Sequence, residues 1–397
     1  MANAFTSTGS ATLGGTSGSA GLVQQAYDRL LEFALRSEPL IRSVADKTPA
    51  RQSIPGSTVV LQKYVDLAAN TTALTETTDP DAVALSTPTN VSITLAEYGN
   101  SVLVTRALEL FSLADVDPAI ANIIAFNLAD SIDAVAMETL RGGTYKIFGG
   151  NATSTATVDA SDTLDSADMR KVVAKLRAAK AVARKGSLYW TGIHPEVSHD
   201  LRAESSSGQG WLLPNQYGSS QDRIWAGEIG NYEGAYYIES ARMYSAKSGA
   251  DQTALATASA VSGVSGAFTI VAANAAFGGR AEVGDKISGT NVGTSAKITA
   301  ISVGATNTTF TVDVANSGTV GTNTLTVTPV TRVYNTIVCG QQAMAQAVAE
   351  EPHVVIGPVV DKLMRHRPMG WYGVLGFARY REEALYRIET GSSIGAL

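Results

Sequence analysis

The sequence predicts an α+β fold that carries a small inserted all-β segment. Apolar residues recur at helical spacing in several stretches, and alternating, strand-like stretches lie between and after them. Residues 245–332 differ in character, because they hold few charged residues and no Trp or Tyr. Short alternating runs in this segment are separated by Gly and Asn turns, which is the pattern of a small β domain inserted into a host.

The composition predicts a chain that covers much of its surface with other chains. The 397 residues are 45% hydrophobic and only 17% charged, whereas soluble monomers are about 25% charged. The length suggests roughly two or three domains. The net charge of −6 argues against a bulk nucleic-acid binder, which needs clustered Lys and Arg to neutralise phosphates.

The single cysteine, Cys339, excludes an intrachain disulfide and predicts assembly in a reducing compartment. The first basic residue is Arg29, so the N-terminus lacks the charged start of a signal peptide. No apolar run approaches the roughly eighteen residues of a membrane helix. We therefore expect a soluble protein that is not exported by the general route and does not bind a membrane.

Residues 1–20 form a Gly/Ser/Thr/Ala tract that cannot bury enough apolar surface to fold alone. The spacing of Leu22, Ala26 and Leu30 predicts a helix directly after this tract. Residues 51–105 contain two predicted strands, "STVVLQKYVDLAA" and "TNVSITLAEYGNSVLVT", which a long polar segment separates. That separation is too long for a compact hairpin and predicts an arm that contacts another chain.

The longest predicted helix spans residues 117–142, with Asp117 as its N-cap, Pro118 in its first turn and Gly142 at its end. Its apolar stripe comprises Ile120, Ile124, Leu128, Ile132 and Val135.

A second helix is predicted from Ser166 to Lys185, ending at Gly186. Its inward residues are Met169, Val172, Val173 and Leu176. The segments "SLYWTGIH" and "GAYYIES" predict strands, and "GWYGVLGFARYREEALYRIET" predicts one long sheet element. The predicted core of the β segment comprises Phe268, Ile270, Ile287, Ile298, Ile301, Phe310, Val312, Leu325 and Val327.

The segment "HPEVSHD" brings together His194, Glu196, His199 and Asp200, as a metal site would. The two histidines are five residues apart rather than four, so they do not stack on one helical face, and ordinary strand-to-helix turn chemistry is favoured. No recognisable nucleophile motif or pair of carboxylates indicates catalysis. The sequence therefore predicts no enzyme, no metal and no cofactor.

The second predicted helix is strongly basic. Its cationic residues are Arg170, Lys171, Lys175, Arg177, Lys180, Arg184 and Lys185. They form either a nucleic-acid surface or a solvated face that pairs with an acidic neighbour. The second interpretation is favoured, since no aromatic residues are interleaved for base stacking.

Several segments resemble, in order, the coat proteins of tailed double-stranded DNA phages with the Hong Kong 97-type fold, and most closely the coliphage N-four branch. The segments are "AYDRLLEFALRSEPLIRSVADKTPARQSIPGSTVVLQKY", "TALTETTDPDAVAL", "LAEYGNSVLVTRALEL" and "VDPAIANIIAFNLADSIDAVAMETLRGG". The resemblance covers residues 21–245 and 333–390. It implies a structural major capsid protein that self-assembles into an icosahedral shell around the phage genome.

The resemblance also implies an organisation into domains. These are an N-terminal arm with a helix (1–50), an E-loop with flanking strands (51–105), a peripheral domain with a spine helix (106–164), an axial domain in two parts (165–244 and 333–355), the inserted all-β domain (245–332) and C-terminal strands of the peripheral domain (356–397). The implied partners are further copies in hexamers and pentamers, portal and scaffolding proteins, a decoration protein, and DNA that is enclosed without sequence-specific binding. Assembly in the bacterial cytoplasm is expected.

The resemblance places intersubunit contacts on the E-loop. The residues expected to make them are Lys63, Tyr64, Asp66, Glu76, Asp79 and Asp81. Some relatives cross-link an E-loop lysine to the next subunit. Lys63 is the only lysine between residues 51 and 105 and lies near the base of the loop, so cross-linking is not expected.

Two other functions remain open at this stage. An encapsulin-like nanocompartment shares the fold but packages an enzyme, and a surface protein could use the β segment to bind carbohydrate. Nucleic acid inside purified shells would exclude the first, and a monomer with glycan affinity would favour the second. Only about twenty residues precede the phage-like segment, so we expect the mature subunit to keep its N-terminus and to use scaffolding supplied by another protein.

Overall fold

The fold is given by a computed structural model of the chain. It describes residues 40–49, 57–64, 66–71, 73–74, 76–77, 82–106, 116–203, 228–255, 257–273, 281–304, 306–358, 363 and 365–394. The predicted N-terminal tract and the helix after it lie outside these ranges.

Within the described ranges the chain forms three α-helices: α1 (Val116–Arg141), α2 (Ser166–Ala178) and α3 (Pro195–Ala203). Strands β1 to β9 are Asp46–Pro49, Thr58–Lys63, Thr89–Thr94, Ala96–Thr105, Lys146–Phe148, Tyr189–Ile193, Glu228–Tyr232, Ala235–Glu239 and Ser245–Asp251. Strands β10 to β19 are Ala258–Ser262, Thr269–Ala273, Lys286–Gly289, Ile298–Val303, Asn307–Val312, Thr324–Thr328, Val330–Cys339, Met344–Ile356, His366–Arg379 and Leu385–Thr390. Single 3-10 turns occupy Ile41–Val44, Thr155–Thr157 and Glu382–Ala384.

The described strands form four sheets. A seven-stranded sheet has the order β5-β19-β16-β6-β8-β7, with β9 also pairing with β16. A six-stranded sheet has the order β12-β15-β10-β11-β14-β13, a four-stranded sheet has the order β1-β17-β18-β4, and β2 pairs with β3 alone. The helices and strands together confirm the predicted mixed α and β content.

The described residues divide into two compact units. The smaller contains residues 98–128 and 352–373, and the larger contains residues 37–97, 129–351 and 374–394. The core of the smaller unit is formed by buried side chains of β4, α1 and β18. They are Val104, Ile124, Met369 and Trp371. The indole N–H of Trp371 donates to Asn127 at 2.9 Å, so this large aromatic residue is buried without an unsatisfied donor.

The larger unit has an apolar core on each face of its seven-stranded sheet. On one face α2 and α3 cover Tyr334 and Val338 of β16. On the other face Ile337 of β16 packs with Met137 and Leu140 of α1. Successive side chains of a strand point to opposite faces, so β16 contributes to both cores.

Helix α1 begins at Val116, so Asp117 lies inside its first turn rather than at the N-cap. The side chains of residues 116–119 are outside the described part of the chain. Of the predicted apolar stripe, Ile124 and Ile132 are fully buried, and Ile120, Leu128 and Val135 are partly buried. The stripe is therefore confirmed, with the deepest burial at two of its positions.

Helix α1 is long and apolar enough to cross a membrane, because Ile120–Arg141 has 22 residues and a mean hydropathy of 1.4. The expectation that no apolar segment approaches the length of a membrane helix was therefore wrong. The same span contains the buried carboxylate of Asp133, which accepts the backbone N–H groups of Ile41 and Arg42 at 2.6 and 3.0 Å and the Arg242 side chain at 3.2 Å. A carboxylate used in this way is typical of a helix packed against protein.

Helix α2 follows the predicted pattern at its start and in its interior. Asp165 caps it by accepting the N–H of Asp168, and the four predicted inward residues are buried. Its predicted end at Lys185 was wrong, because the helix stops at Ala178. Lys180 adopts a left-handed conformation (φ 55°), and the N–H of Ala181 donates to Leu176, which is the hydrogen-bond pattern of a Schellman cap. Gly186, also left-handed, lies instead in the turn between Lys185 and Leu188.

Two of the predicted sheet elements each divide into two strands. The segment after residue 88 forms β3, which pairs with β2, and β4, which belongs to the four-stranded sheet. The C-terminal segment forms β18 in the four-stranded sheet and β19 in the seven-stranded sheet, with a 3-10 turn between them. The prediction of one long C-terminal element was therefore wrong. Strand β19 pairs with β16 and β5 rather than with the strands of the smaller unit.

The boundaries predicted for the inserted β segment are too wide. Residues 245–251 (β9) pair with residues 330–334 of β16 in the seven-stranded sheet, so they belong to the host. The two strands that directly flank the insertion, β9 and β16, are thus neighbours in the host sheet. We call residues 252–329 the β module, which contains the six-stranded sheet and its own buried cluster. The prediction that Phe268 belongs to the core of the module was wrong, because this residue is 51% exposed.

A buried ion pair joins the β module to the host sheet. Lys247 of β9 contacts Asp285 of the module at 2.6 Å, and the side chains are 8% and 0% exposed. Asp285 also accepts the backbone N–H groups of Val330 and Glu282 at 3.2 and 2.8 Å. The carboxylate is thus satisfied by one cation and two N–H donors, as a buried charge requires.

Replacing Lys247 by Met is expected to lower the free energy of unfolding by about 3–5 kcal/mol, because Asp285 would remain buried without its cation. Lys286 provides a matched control, since it contacts Asp251 at the same 2.6 Å but in an exposed pair. Lys286→Met is expected to cost about 0–1 kcal/mol. Urea unfolding of the unassembled subunit measures both values, and equal losses would contradict the assignment of the junction to the buried pair.

Candidate subunit interface

A two-stranded ladder carries the segment that the sequence predicts as an intersubunit arm. Strands β2 and β3 are antiparallel and in continuous register from Thr58 opposite Thr94 to Lys63 opposite Thr89. The segment between them, residues 64–88, has no helix or strand among its described residues. A ladder this short is only marginally stable without packing, so its position depends on what lies beneath it.

The base of the ladder packs against the four-stranded sheet within the larger unit. Ile93 is fully buried with Ala345 and Ala347 of β17, and Val59 and Leu61 pack against the same cluster. Alternate residues of β2 therefore face inward, as the strand period requires. The base of the loop is fixed by apolar contacts on one face only.

Polar contacts fix the same base to the turn between β18 and β19. The amine of Lys63 contacts both carboxylate oxygens of Glu383 at 3.2 and 3.1 Å. The pKa of Glu383 is lowered, first by a hydrogen bond from its own backbone N–H and then by Lys63. The hydroxyl of Tyr380 donates to the backbone carbonyl of Gln62 at 3.4 Å.

The loop itself exposes large apolar side chains. Leu74, Val83 and Leu85 are between 71% and 76% exposed, and Leu67 and Tyr64 are also exposed. Single exposed apolar residues are ordinary, but a run of them on one loop indicates a surface that another chain covers. These aliphatic residues were missed by sequence reasoning, which concentrated on the charges of the loop. Their occurrence in an otherwise polar segment was the available signal.

The six residues predicted to contact a neighbouring subunit differ in their surroundings. Lys63 is held at the base of the loop by Glu383 of the same subunit, and Tyr64 donates to Gln62 at 3.3 Å. Asp66 and Glu76 are exposed on the loop. Asp79 and Asp81 lie outside the described residues.

The "HPEVSHD" segment forms the turn from β6 into α3, as predicted. His194 packs on the ring of Tyr334, whose hydroxyl donates to Glu196. Burial lowers the pKa of His194 and is the main cause of the raised pKa of Tyr334. Asp200 accepts the N–H of Ser393 at 2.9 Å, so it ties α3 to the C-terminal segment. Each side chain is used in local structure, and no group of potential metal ligands is found among the described residues.

The thiol of Cys339 is not an activated nucleophile. It is fully buried, and burial raises its pKa to about 12. A thiol with so high a pKa is protonated at neutral pH and does not react.

Comparison with known proteins gives a consistent identification. The model of a family described as phage capsid protein matches residues 42–393. No curated protein matches at a significant level. The fold is similar to that of solved capsids, although the sequences are only distantly related.

The capsid of Ralstonia phage GP4 has a TM-score of 0.59 and 12% identity, covering 93% of this chain and 95% of that chain. The capsid of the cyanophage P-SCSP1u has a TM-score of 0.58 and 11% identity, covering 99% and 100%. The capsid of the cyanophage Pam1 has a TM-score of 0.56 and 12% identity, covering 94% and 97%. The Hong Kong 97-type prediction is thereby confirmed, while the likeness to the coliphage N-four branch stays a prediction. The chain belongs to the phage capsid protein family: it is a structural major capsid protein that self-assembles into the shell of the virion, and it is not an enzyme.

Proposed function

We propose that residues 51–105 act as an E-loop that binds a neighbouring copy, within a shell of hexamers and pentamers around double-stranded DNA. The observation that carries this proposal is the exposure of Leu74, Val83 and Leu85 on a loop that its own subunit leaves uncovered. Burying such a side chain contributes about 1.5–3 kcal/mol. The gain recurs at every interface, because closed symmetry repeats the same contact around the shell.

The finer partners are also proposals. A portal and a scaffolding protein would be supplied by other chains, and the β module would present its weakly charged surface outward, where a decoration protein could bind. Assembly would take place in the cytoplasm of the bacterial host. The buried, protonated thiol of Cys339 supports a shell that needs no disulfide there.

Electron microscopy of particles purified from infected cells tests the shell itself. We expect closed particles whose DNA survives nuclease added from outside. Closed particles that contain a protein cargo and no nucleic acid would instead indicate the nanocompartment. A monomer that binds glycans would indicate the carbohydrate-binding alternative.

The loop is tested by replacing Leu74, Val83 and Leu85 with Ser. The subunit is expected to fold with an unchanged urea midpoint, because these side chains are exposed, but to lose most of its closed shells by sedimentation. Val261→Ser, Val264→Ser and Val303→Ser form the matched control, since these exposed residues lie in the β module. Normal shells from the loop variant would contradict an intersubunit role for the loop.

The β module is tested by deleting residues 252–329 and joining Asp251 to Val330 with an Asn-Gly turn. These two residues are already paired across β9 and β16, so a tight hairpin closes the gap without disturbing the ladder. Lys247 would lose Asp285 but gain access to water. Shells that assemble with reduced outer density are expected in micrographs. An insoluble or monomeric product would show that the module belongs to the core or to an essential interface.

A further inference from the structure

Helix α2 presents one strongly basic, solvent-exposed surface. We define the basic face as the exposed cations of α2 and of its C-terminal cap, which are Arg170, Lys171, Lys175, Arg177 and Lys180. The opposite side of the helix is buried against the seven-stranded sheet. The one acidic residue within α2, Asp168, is also buried, and it accepts from Lys171 at 2.9 Å. The exposed surface of the helix therefore carries cations and no carboxylate.

Ion pairs within the subunit leave part of this charge exposed, since Lys171 contacts Asp168 but some other cations of the face do not contact a carboxylate among the described residues. Lys175, Arg177 and Lys180 form no ion pair with any carboxylate in the part of the chain that the structure describes. The two further basic residues of this segment are used elsewhere. Arg184 contacts Asp46 at 3.4 Å, and the amine of Lys185 lies 5.6 Å from the ring centre of Tyr236.

Helix stability accounts for only part of the pattern. Cations near a helix C-terminus are favoured by the helix dipole, which explains Lys175 and Arg177. Lys171 and Lys175 are four residues apart on one face, however, and like charges at that spacing destabilise a helix. A set of cations that the helix does not itself require, on a chain of net charge −6, indicates an external polyanion.

We propose that the basic face of α2 lies on the inner side of the shell and contacts the phosphate backbone of the packaged duplex DNA. This inference rests on the proposed function, since it requires a shell that encloses DNA. The face has no exposed aromatic side chain among its residues, so it offers charge to phosphates and no stacking surface for bases. The contact is therefore independent of sequence and weakened by salt.

Lysine acylation of intact particles tests the position of the face. Acetic anhydride is small enough to enter the shell, and mass spectrometry would compare Lys175 and Lys180 in filled particles and in particles emptied by osmotic shock. We expect roughly fivefold slower acylation in filled particles, the factor that corresponds to a Coulomb attraction of about 1 kcal/mol. Lys286 of the β module serves as the internal reference and should react equally in both. Equal reactivity of Lys175 and Lys180 would overturn the proposal.

A bulky reagent separates the inner from the outer surface. A succinimidyl ester attached to a large polyethylene glycol cannot enter a closed shell. Modification of Lys175 or Lys180 by this reagent in filled particles would place the face outside and overturn the proposal. Modification confined to the reference Lys286 supports it.

A charge-removal variant tests the energetic role. Lys175→Gln, Arg177→Gln and Lys180→Asn remove three charges, with Asn chosen because it tolerates the left-handed backbone at that position. The control variant Lys146→Gln, Lys286→Gln and Lys297→Gln removes the same charge elsewhere. We expect the first variant to form closed shells that release DNA at lower temperature, and the control to behave as the original. DNA release at an unchanged temperature would overturn the proposal. A failure of the first variant to assemble would also overturn it, because that result would assign the face to a contact between copies. Closed shells with nuclease-resistant DNA from the unmodified protein would leave the proposed function intact in either case.

Discussion

The larger unit of this capsid subunit depends on one strand that is hydrogen-bonded along both edges and buried on both faces. Strand β16 pairs with β19 along one edge, and with β9 and then β6 along the other. Its side chains fill the apolar core beneath α2 and α3 as well as the core beneath α1. Strand β16 therefore packs against all three described helices. It also pairs with β9, the strand that precedes the β module, and so fixes the point of insertion.

The interior of the fold could be largely predicted from the sequence, whereas the ends of its elements could not. The period of Met169, Val172 and Leu176 identified the buried side of α2 because a helix must bury one stripe. Its end was missed because the left-handed cap falls on Lys180, a residue without the usual signal for that conformation, while Gly186 further along serves a separate turn. Propensity alone does not decide between two possible caps when tertiary contacts favour one of them.

The candidate interface shows a similar division. The length and polarity of the segment after Lys63 predicted an arm, since paired strands rarely need such a connection. The ion pair that holds its base joins Lys63 to Glu383, residues that are 320 positions apart, and no local pattern records such a partner. The same holds for Lys247 and Asp285. They form the junction between the module and the host because β9 pairs with β16, and the sequence alone does not predict that pairing.

The burial of Cys339 gives this subunit an intrinsic reporter of its own mechanics. The only thiol of the chain is on β16, opposite Trp190 of β6 and Leu385 of β19. A thiol-specific dye can reach it only when the central ladder separates, so the rate of labelling measures how often the sheet opens. Strain imposed on the subunit by a filled shell, by heating or by a missing neighbour can therefore be followed kinetically in the natural sequence, without any engineered probe.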